Sequence, residues 1–192
     1  MENILVKQSQ GIGVIGIHKF IKCDVTSKEA KALEKKIDKA IEAKDQTLTG
    51  KLLKQLKKRF MKSEMTYKNI VTTIGRKTLA QVITGDSAYT GNGIINFGAL
   101  GDGTTTPANA DVTLVNETFR KLIASIEVFN NIAILNQFYN SGQANAQHFE
   151  SGEFIDATTT PDSGILFSRF LINELKTSTE TLTIESTYTF IQ

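Results

Sequence analysis

The chain has 192 residues, 40% hydrophobic and 22% charged, an ordinary globular balance and not that of a disordered segment. No apolar run approaches the ~18 residues of a membrane-spanning helix, and no basic-then-apolar leader opens the chain, so a soluble protein is expected. Its one cysteine, Cys23, excludes an internal disulfide and fits synthesis in a reducing compartment.

The net charge of +2 conceals a split. Residues 1–64 carry 15 basic against 8 acidic side chains, a net +7, whereas residues 65–192 carry 7 against 12, a net −5. This asymmetry predicts two modules: a basic one over 1–64 and a second over 65–192.

In chain order, Asn3 to Lys7 and Gly13 to Val25 are rich in Ile and Val and read as short strands. Gly11, Gly13 and Gly16 have dinucleotide-binding spacing, but that motif requires a helix to start on the glycines. Here the next residues, IHKFIKCDV, lack a helical period, so a bend or bulge between strands is expected instead. Thr26-x-x-Glu29 has the capping-box pattern and predicts a helix to about Ala43, with Ala30, Leu33, Ile37, Ala40 and Ile41 on one face. After a polar turn at Asp45 to Gly50, a second stripe of Leu48, Leu52, Leu56 and Phe60, with Leu53 beside it, predicts the partner of an αα-hairpin. The other faces carry Lys31, Lys35, Lys39, Lys51, Lys54, Lys57, Lys58 and Arg59. The apolar stripes pack on the same chain or on a symmetry mate. The lysines form either a solvated face or a surface for nucleic acid or another acidic partner, without the aromatic interleaving that base stacking needs.

The second module opens with a helical period over Ile70, Val71, Ile74, Thr78, Val82 and Ile83, ending at Gly85. Gly75 weakens it. A strand follows at Ile94 to Leu100, and then the polar, turn-rich stretch Gly98 to Lys121, the main candidate for a contact loop. Leu122 to Val128 and Ile132 to Tyr139 flank Asn130-Asn131 as a hairpin. Ile165 to Ile172 reads as a buried strand. Thr181 to Phe190 alternates as a half-buried strand, with Leu182, Ile184, Tyr188 and Phe190 inside and Thr181, Thr183, Glu185, Thr187 and Thr189 on a wet face. The fold class expected is α+β: N-terminal short strands plus an αα-hairpin, then one helix on a mainly antiparallel sheet or sandwich. Asp102 to Pro107 and Asp156 to Pro161 share the pattern D-x-T-T-T-P, which reads as two exposed turns whose Asp side chains cap local amides.

No residue set suggests chemistry. His18 reads as a strand residue and His148 as a loop residue, neither with ligand-spaced partners. Cys23 lacks a histidine to activate it. The Gly101-Asp102-Gly103 loop lacks the lysine and hydroxyl of a P-loop. Glu150, Glu153, Asp156 and Asp162 read as a solvated acidic loop more than as a calcium site. The expectation is a protein without catalytic, cofactor or metal residues.

A set of residue blocks stands in a recognisable order. Ile74-Gly75 with Leu79-Ala80 comes first, then Ala99-Leu100-Gly101-Asp102-Gly103, Pro107, and Thr113-Leu114-Val115-Asn116-Glu117 leading to Arg120. Phe149-Glu150 to Phe154 follows, with Asp162-Ser163-Gly164, Leu166-Phe167-Ser168-Arg169, Lys176-Thr177-Ser178 and Leu182-Thr183-Ile184. From about Tyr67 onward the chain thereby resembles the N-terminal, baseplate-attaching (tail-collar) domain of tailed-bacteriophage tail-fibre proteins. In fibres that domain comes first, ahead of a shaft and tip. Here it comes last, so the resemblance implies a virion structural protein that is not a complete fibre. What it implies is a connector, adaptor or collar subunit at the tail, neck or fibre-attachment site, located in the virion, with copies of itself and other virion proteins as partners. The alternative is a binding module, on the capsid surface or contacting DNA, that uses the basic hairpin. The candidate interaction residues are Gly101, Asp102, Gly103, Pro107, Leu114, Glu117, Arg120 and Arg169, with Leu52, Leu56 and Phe60 of the hairpin. Glu117 and Arg120 are spaced to pair with each other or with a neighbouring subunit.

Overall fold

Two five-stranded antiparallel sheets face each other in the computed structural model, which describes residues 13–191. The strand expected at Asn3 to Lys7, and Gly11, lie outside the described residues. Sheet I has the order β2 (Met61–Lys68), β1 (Gly13–Asp24), β10 (Glu180–Ile191), β7 (Ile132–Tyr139), β6 (Ser125–Phe129). Sheet II has the order β3 (Ile70–Val71), β9 (Ile165–Leu175), β8 (Gln147–Ile155), β4 (Ile95–Gly101), β5 (Glu117–Leu122). With three helices added, the chain is an α+β protein.

The core between the sheets takes Phe20, Tyr139, Leu182 and Ile184 from sheet I and Leu100, Phe170 and Ile172 from sheet II. β1 pairs with β10 along its whole length, from Gly13–Ile191 to Asp24–Glu180. The ends of the described chain thus lie side by side at the centre of sheet I. The boundary at residues 64 and 65 falls inside β2, and strands from both sides of it interleave in this sheet. Gly13 and Gly16 lie within β1. A Cβ on Gly16 would come within 2.3 Å of the Asn69 amide, which is why the smallest residue stands there.

Helices α1 (Lys28–Glu42) and α2 (Gln46–Phe60) form the expected hairpin. The N-cap of α1 is Ser27, one residue later than the capping box suggests; its hydroxyl accepts from the Ala30 amide at 3.1 Å. Thr26 instead donates its amide and hydroxyl to Asp24. Asp45 caps α2 through the Leu48 amide at 2.9 Å. The hairpin lies on the outer face of sheet I, where Ala30, Leu33, Ile37, Leu53 and Leu56 pack on Ile21, Cys23 and Phe138. Each of the larger side chains contributes about 1.5–3 kcal/mol by burial. The buried face of α2 is rotated from the expected stripe: Leu53 is inside and Leu48 is 44% exposed. The hairpin also changes the outer face of β10. Thr181 and Thr183 stand opposite Cys23 and Ile21, under the helices, and are buried where a wet face was expected.

Helix α3 (Thr73–Thr84) is shorter at its start than the apolar period suggests. Ile70 and Val71 pair instead with Arg169 and Ser168 of β9. Thr72 caps the helix through the Gly75 amide, and Gly85 closes it at φ 63°. Gly75 is a close-approach residue, since a Cβ there would meet the Phe167 backbone at 2.9 Å. The hairpin around Asn130-Asn131 forms, as β6 and β7, with Asn130 at φ 53°, but its first strand starts at Ser125, since Leu122 ends β5. Three further strands were not legible: polar β2, which follows α2 without a break, β5, which lies inside the turn-rich stretch, and β8, whose Glu150 and Glu153 read as a solvated loop.

Candidate functional site

The turn-rich stretch resolves into β4, a loop over Asp102 to Asn116, and β5. The loop is tied to sheet II by a buried carboxylate and a buried guanidinium. Glu150, on β8, is fully buried and faces the inside of the loop. Its Oε1 accepts the amides of Gly103 at 3.1 Å and Asn116 at 2.9 Å, and its Oε2 accepts the Val115 amide at 3.1 Å. Arg169, on β9, donates Nε to the same Oε2 at 2.8 Å. Its Nη1 reaches Asp111 at 2.8 Å, and its Nη2 reaches the Thr105 carbonyl at 2.9 Å. Two side chains of neighbouring strands thereby hold five loop positions. Such charge-assisted bonds are roughly twice as strong as neutral ones.

The loop glycines follow from this geometry. A Cβ on Gly103 would lie 2.4 Å from Glu150 Oε1, and one on Gly101 would lie 2.7 Å from the same oxygen. At the loop neck, Asn116 donates its side-chain amide to Asp102 at 2.6 Å. Leu114 turns inward and is buried with Phe97, Ala99, Phe154 and Leu166. Burial opposes the charge of Arg169, but its bonds to Asp111 and Glu150 outweigh this and hold its pKa above the ordinary value. Partial burial pushes Asp111 up, but the Ala108 amide and Arg169 prevail and hold it below the usual carboxylate value.

The second D-x-T-T-T-P loop, between β8 and β9, is held by another carboxylate–guanidinium pair. Arg120 and Glu117 of β5 form a bidentate pair within the chain, at 2.5 and 2.7 Å, with side chains 4% and 2% exposed. Arg120 Nη1 donates to the Thr158 carbonyl at 2.9 Å and to Ser163 Oγ at 2.8 Å, and Glu117 accepts the Asp162 amide at 3.2 Å. The guanidinium lies over the rings of Phe154 and Phe97, at 4.7 and 5.7 Å. The aspartates that open the two loops reach distant segments instead of capping local amides. Asp102 accepts from Asn116, and Asp156 accepts from Tyr89 and from the Gly93 amide.

The structure therefore places most of the candidate interaction residues inside the fold. Gly101, Gly103, Leu114 and Arg169 are buried, and Pro107, Glu117 and Arg120 are half-buried. Asp102 is exposed, while Leu56 is buried and Leu52 and Phe60 half-buried beneath the hairpin. What the fastened loop offers to solvent is Thr104 to Thr106, Ala108 to Ala110, Val112 (57% exposed) and Val115 (54%). Sequence reasoning missed Glu150 and Asp111 as fasteners and both valines as the exposed apolar residues.

The other acidic residues read from the sequence do not form a loop cluster. Glu153 is also on β8 and fully buried, with its contacts in the polar layer between the sheets. It accepts from Gln137 at 3.3 Å, Ser168 at 2.9 Å and the Tyr188 hydroxyl. Gly98 makes room for Gln137, because a Cβ there would come within 1.9 Å of the amide. His18 lies in the same layer, stacked on Phe170 at 4.0 Å and bonded to Ser186 at 2.7 Å. Burial lowers its pKa, with Glu153 opposing that shift. His148 is a buried β8 residue bonded to the Ala144 carbonyl at 2.9 Å, not a loop residue. Burial pushes the Cys23 thiol up to about 11.

A groove of about 580 Å³ opens between α3 and the ends of β1 and β10, lined by Val14, Ile70, Leu79, Ile83 and Phe190 with Arg76 at its wall. Among the described residues, no group of three or more His, Cys, Asp or Glu is placed to hold a metal ion, and no helix is long and apolar enough to cross a membrane. No protein family, no curated protein and no solved structure matches this chain.

Proposed function

We propose that this chain is a non-enzymatic structural subunit of a tailed-phage virion, a connector, adaptor or collar protein at the tail, neck or fibre-attachment site. The observation that carries the reading is the loop over Asp102 to Asn116. Buried charges on two strands hold it in place, in part through the Thr105 carbonyl and the Val115 amide, while it presents Thr104 to Thr106, Ala108 to Ala110 and the exposed apolar side chains of Val112 and Val115 to solvent. A loop preorganised in this way loses little conformational entropy on docking, which favours a permanent subunit contact. The resemblance of the residue blocks from Ile74 to Ile184 to tail-collar domains supports a virion setting.

The test is the doubly substituted chain Val112→Glu, Val115→Glu, expressed in place of the native one, with particles examined by electron microscopy and their protein content measured. The expected result is a folded chain absent from particles; normal particles containing the variant would overturn the reading. Deleting Thr104 to Ala110 is a poorer test than loop-closure entropy alone suggests. It also removes the Thr105 carbonyl that Arg169 holds.

A second reading, a binding module for DNA or an acidic protein surface, is favoured by the exposed Lys31, Lys35, Lys51 and Lys58 on the hairpin. Lys54, Lys57 and Arg59 are already paired with Glu127, Glu64 and Glu29. Duplex binding at low salt that falls steeply toward physiological salt is expected on that reading, and no retardation at either salt removes it.

A further inference from the structure

Among the described residues, β2 is an edge strand of sheet I. It pairs with β1 in a regular register from Ser63–Lys22 to Lys68–Ile17, and no other described strand pairs with its second backbone edge. Met61 to Thr66 and Lys68 are exposed. A free edge is a template for another strand, and proteins blunt it with charged side chains, proline, bulges, extreme shortness or a covering loop. β2 has 8 residues and no proline, and its bulge against β1 sits at one end by Met61, so its charges Lys62, Glu64 and Lys68 are what an added strand must match.

The side chains on this edge are arranged symmetrically about Thr66. By register with β1, Glu64, Thr66 and Lys68 share the face of Ile21, Lys19 and Ile17, and Met65 and Tyr67 share the face of Phe20 and His18. When two such strands run antiparallel about a two-fold axis through Thr66, Glu64 falls opposite Lys68 twice. Met65 falls opposite Tyr67 twice, and Thr66 meets its own copy. Opposite charges, and aromatic with apolar side chains, are the favourable cross-strand pairs. A register centred on Met65 instead sets Lys62 opposite Lys68 and Glu64 opposite Thr66. Lys68 has no carboxylate within ion-pair distance among the described residues, and Met65 is 53% exposed. Glu64 already lies 2.7 Å from Lys57 and 3.5 Å from Lys19 of its own chain with its side chain still 28% exposed, so Lys68 of a second copy adds to that cluster and does not meet a free carboxylate.

We propose that β2 is a self-association surface, on which a second copy of this chain adds its own β2 antiparallel about Thr66 and joins the two copies of sheet I into one ten-stranded sheet. The interface is isologous, as closed two-fold dimers require. An edge of this length buries little area, so a dissociation constant in the range of about 1–100 μM is expected. The pairing stands whether or not the chain belongs to a virion, and its readout, mass in solution, is separate from incorporation into particles.

The experiment is sedimentation equilibrium of the full chain with charge variants of Lys68 and a cysteine cross-link. Wild type is expected to dimerise by about 100 μM. Lys68→Glu sets a second carboxylate opposite Glu64 at both symmetry-related pairs and is expected to weaken the dimer at least tenfold, whereas Lys68→Arg, which keeps the charge, is expected to stay within about threefold of wild type. Thr66→Cys puts two thiols on directly opposed positions, whose Cα atoms lie about 4.5–5.5 Å apart, within disulfide range. Mild oxidation should therefore give a covalent dimer. Met61→Cys, exposed on the same strand but opposite Val71 in this register, should not; buried Cys23 adds no background. A wild-type monomer at 100 μM, a Lys68→Glu dimer as tight as wild type, a folded Lys68→Arg variant that stays monomeric, or equal cross-linking at positions 61 and 66 would each overturn the proposal.

Discussion

Glu150 and Glu153 stand three residues apart on β8, both fully buried, yet they organise different parts of the molecule. Glu150 faces a guanidinium and three loop amides. Glu153 faces only neutral donors, from Gln137, Ser168 and Tyr188. A buried charge needs either an opposite charge or several hydrogen bonds, and the strand supplies one solution for each. The difference teaches where the surface is built. The ion pair works outward and fixes a loop that other molecules can touch, whereas the neutral network works inward and fixes how the two sheets meet.

The largest effect that separates them is expected from Arg169→Met. It leaves Glu150 buried without its cation and frees Asp111 and Thr105, so a loss of about 3–5 kcal/mol in denaturant unfolding is expected. A loss below about 1 kcal/mol would mean that the amides alone hold Glu150. Glu150→Gln keeps the shape but turns an amide group toward donors, and about 1–3 kcal/mol is expected. Glu153→Gln keeps an acceptor for Tyr188 and Ser168, and no cation faces it. A loss of no more than about 1.5 kcal/mol is expected, so equal losses from the two Gln variants would break the comparison.

A pH series sharpens it. His18 has its pKa lowered in the folded state, chiefly by burial, below the ordinary 6.5. The unfolded chain then takes up a proton that the folded chain refuses. The stability is fully present above about pH 6.5 and declines as pH falls toward the folded value. Because Glu153 opposes the lowering of His18, Glu153→Gln should extend that decline to lower pH, and Glu150→Gln should not alter His18's part of it. Denaturant midpoints between pH 7.5 and 5 check this. The smallest effect is expected from Val112→Glu with Val115→Glu, within about 0.5 kcal/mol, since both side chains are exposed.

The parts of the fold that were legible are those where local pattern and tertiary context agree. The α1–α2 hairpin, the Gly85 cap and the Asn130-Asn131 turn carry local chemistry that no packing overrides. Ile70-Val71 fits a helical period, but pairing with β9 takes those residues into a strand. MKSEMTYK has no apolar alternation to betray it, because all of its residues but Tyr67 are exposed. Thr181 and Thr183 read as solvated because nothing in their own strand records the helices that cover them. At the site, Arg169 was visible as the one charge within the otherwise uncharged ILFSRFLI of β9. Its partner Glu150, 19 residues away, became identifiable only when β8 and β9 were paired. Glu150 and Glu153 both looked like surface acids for the same reason: burial of a charge is a property of the assembled sheet.

The most direct test of the virion reading is electron microscopy of assembled particles at a resolution that traces this chain. The expected map places the loop over Asp102 to Asn116 at a boundary between subunits, with Val112 and Val115 covered by a neighbour and the Glu150–Arg169 pair intact beneath them. Particles that lack the chain, or a map in which that loop faces solvent in every copy, would contradict the account.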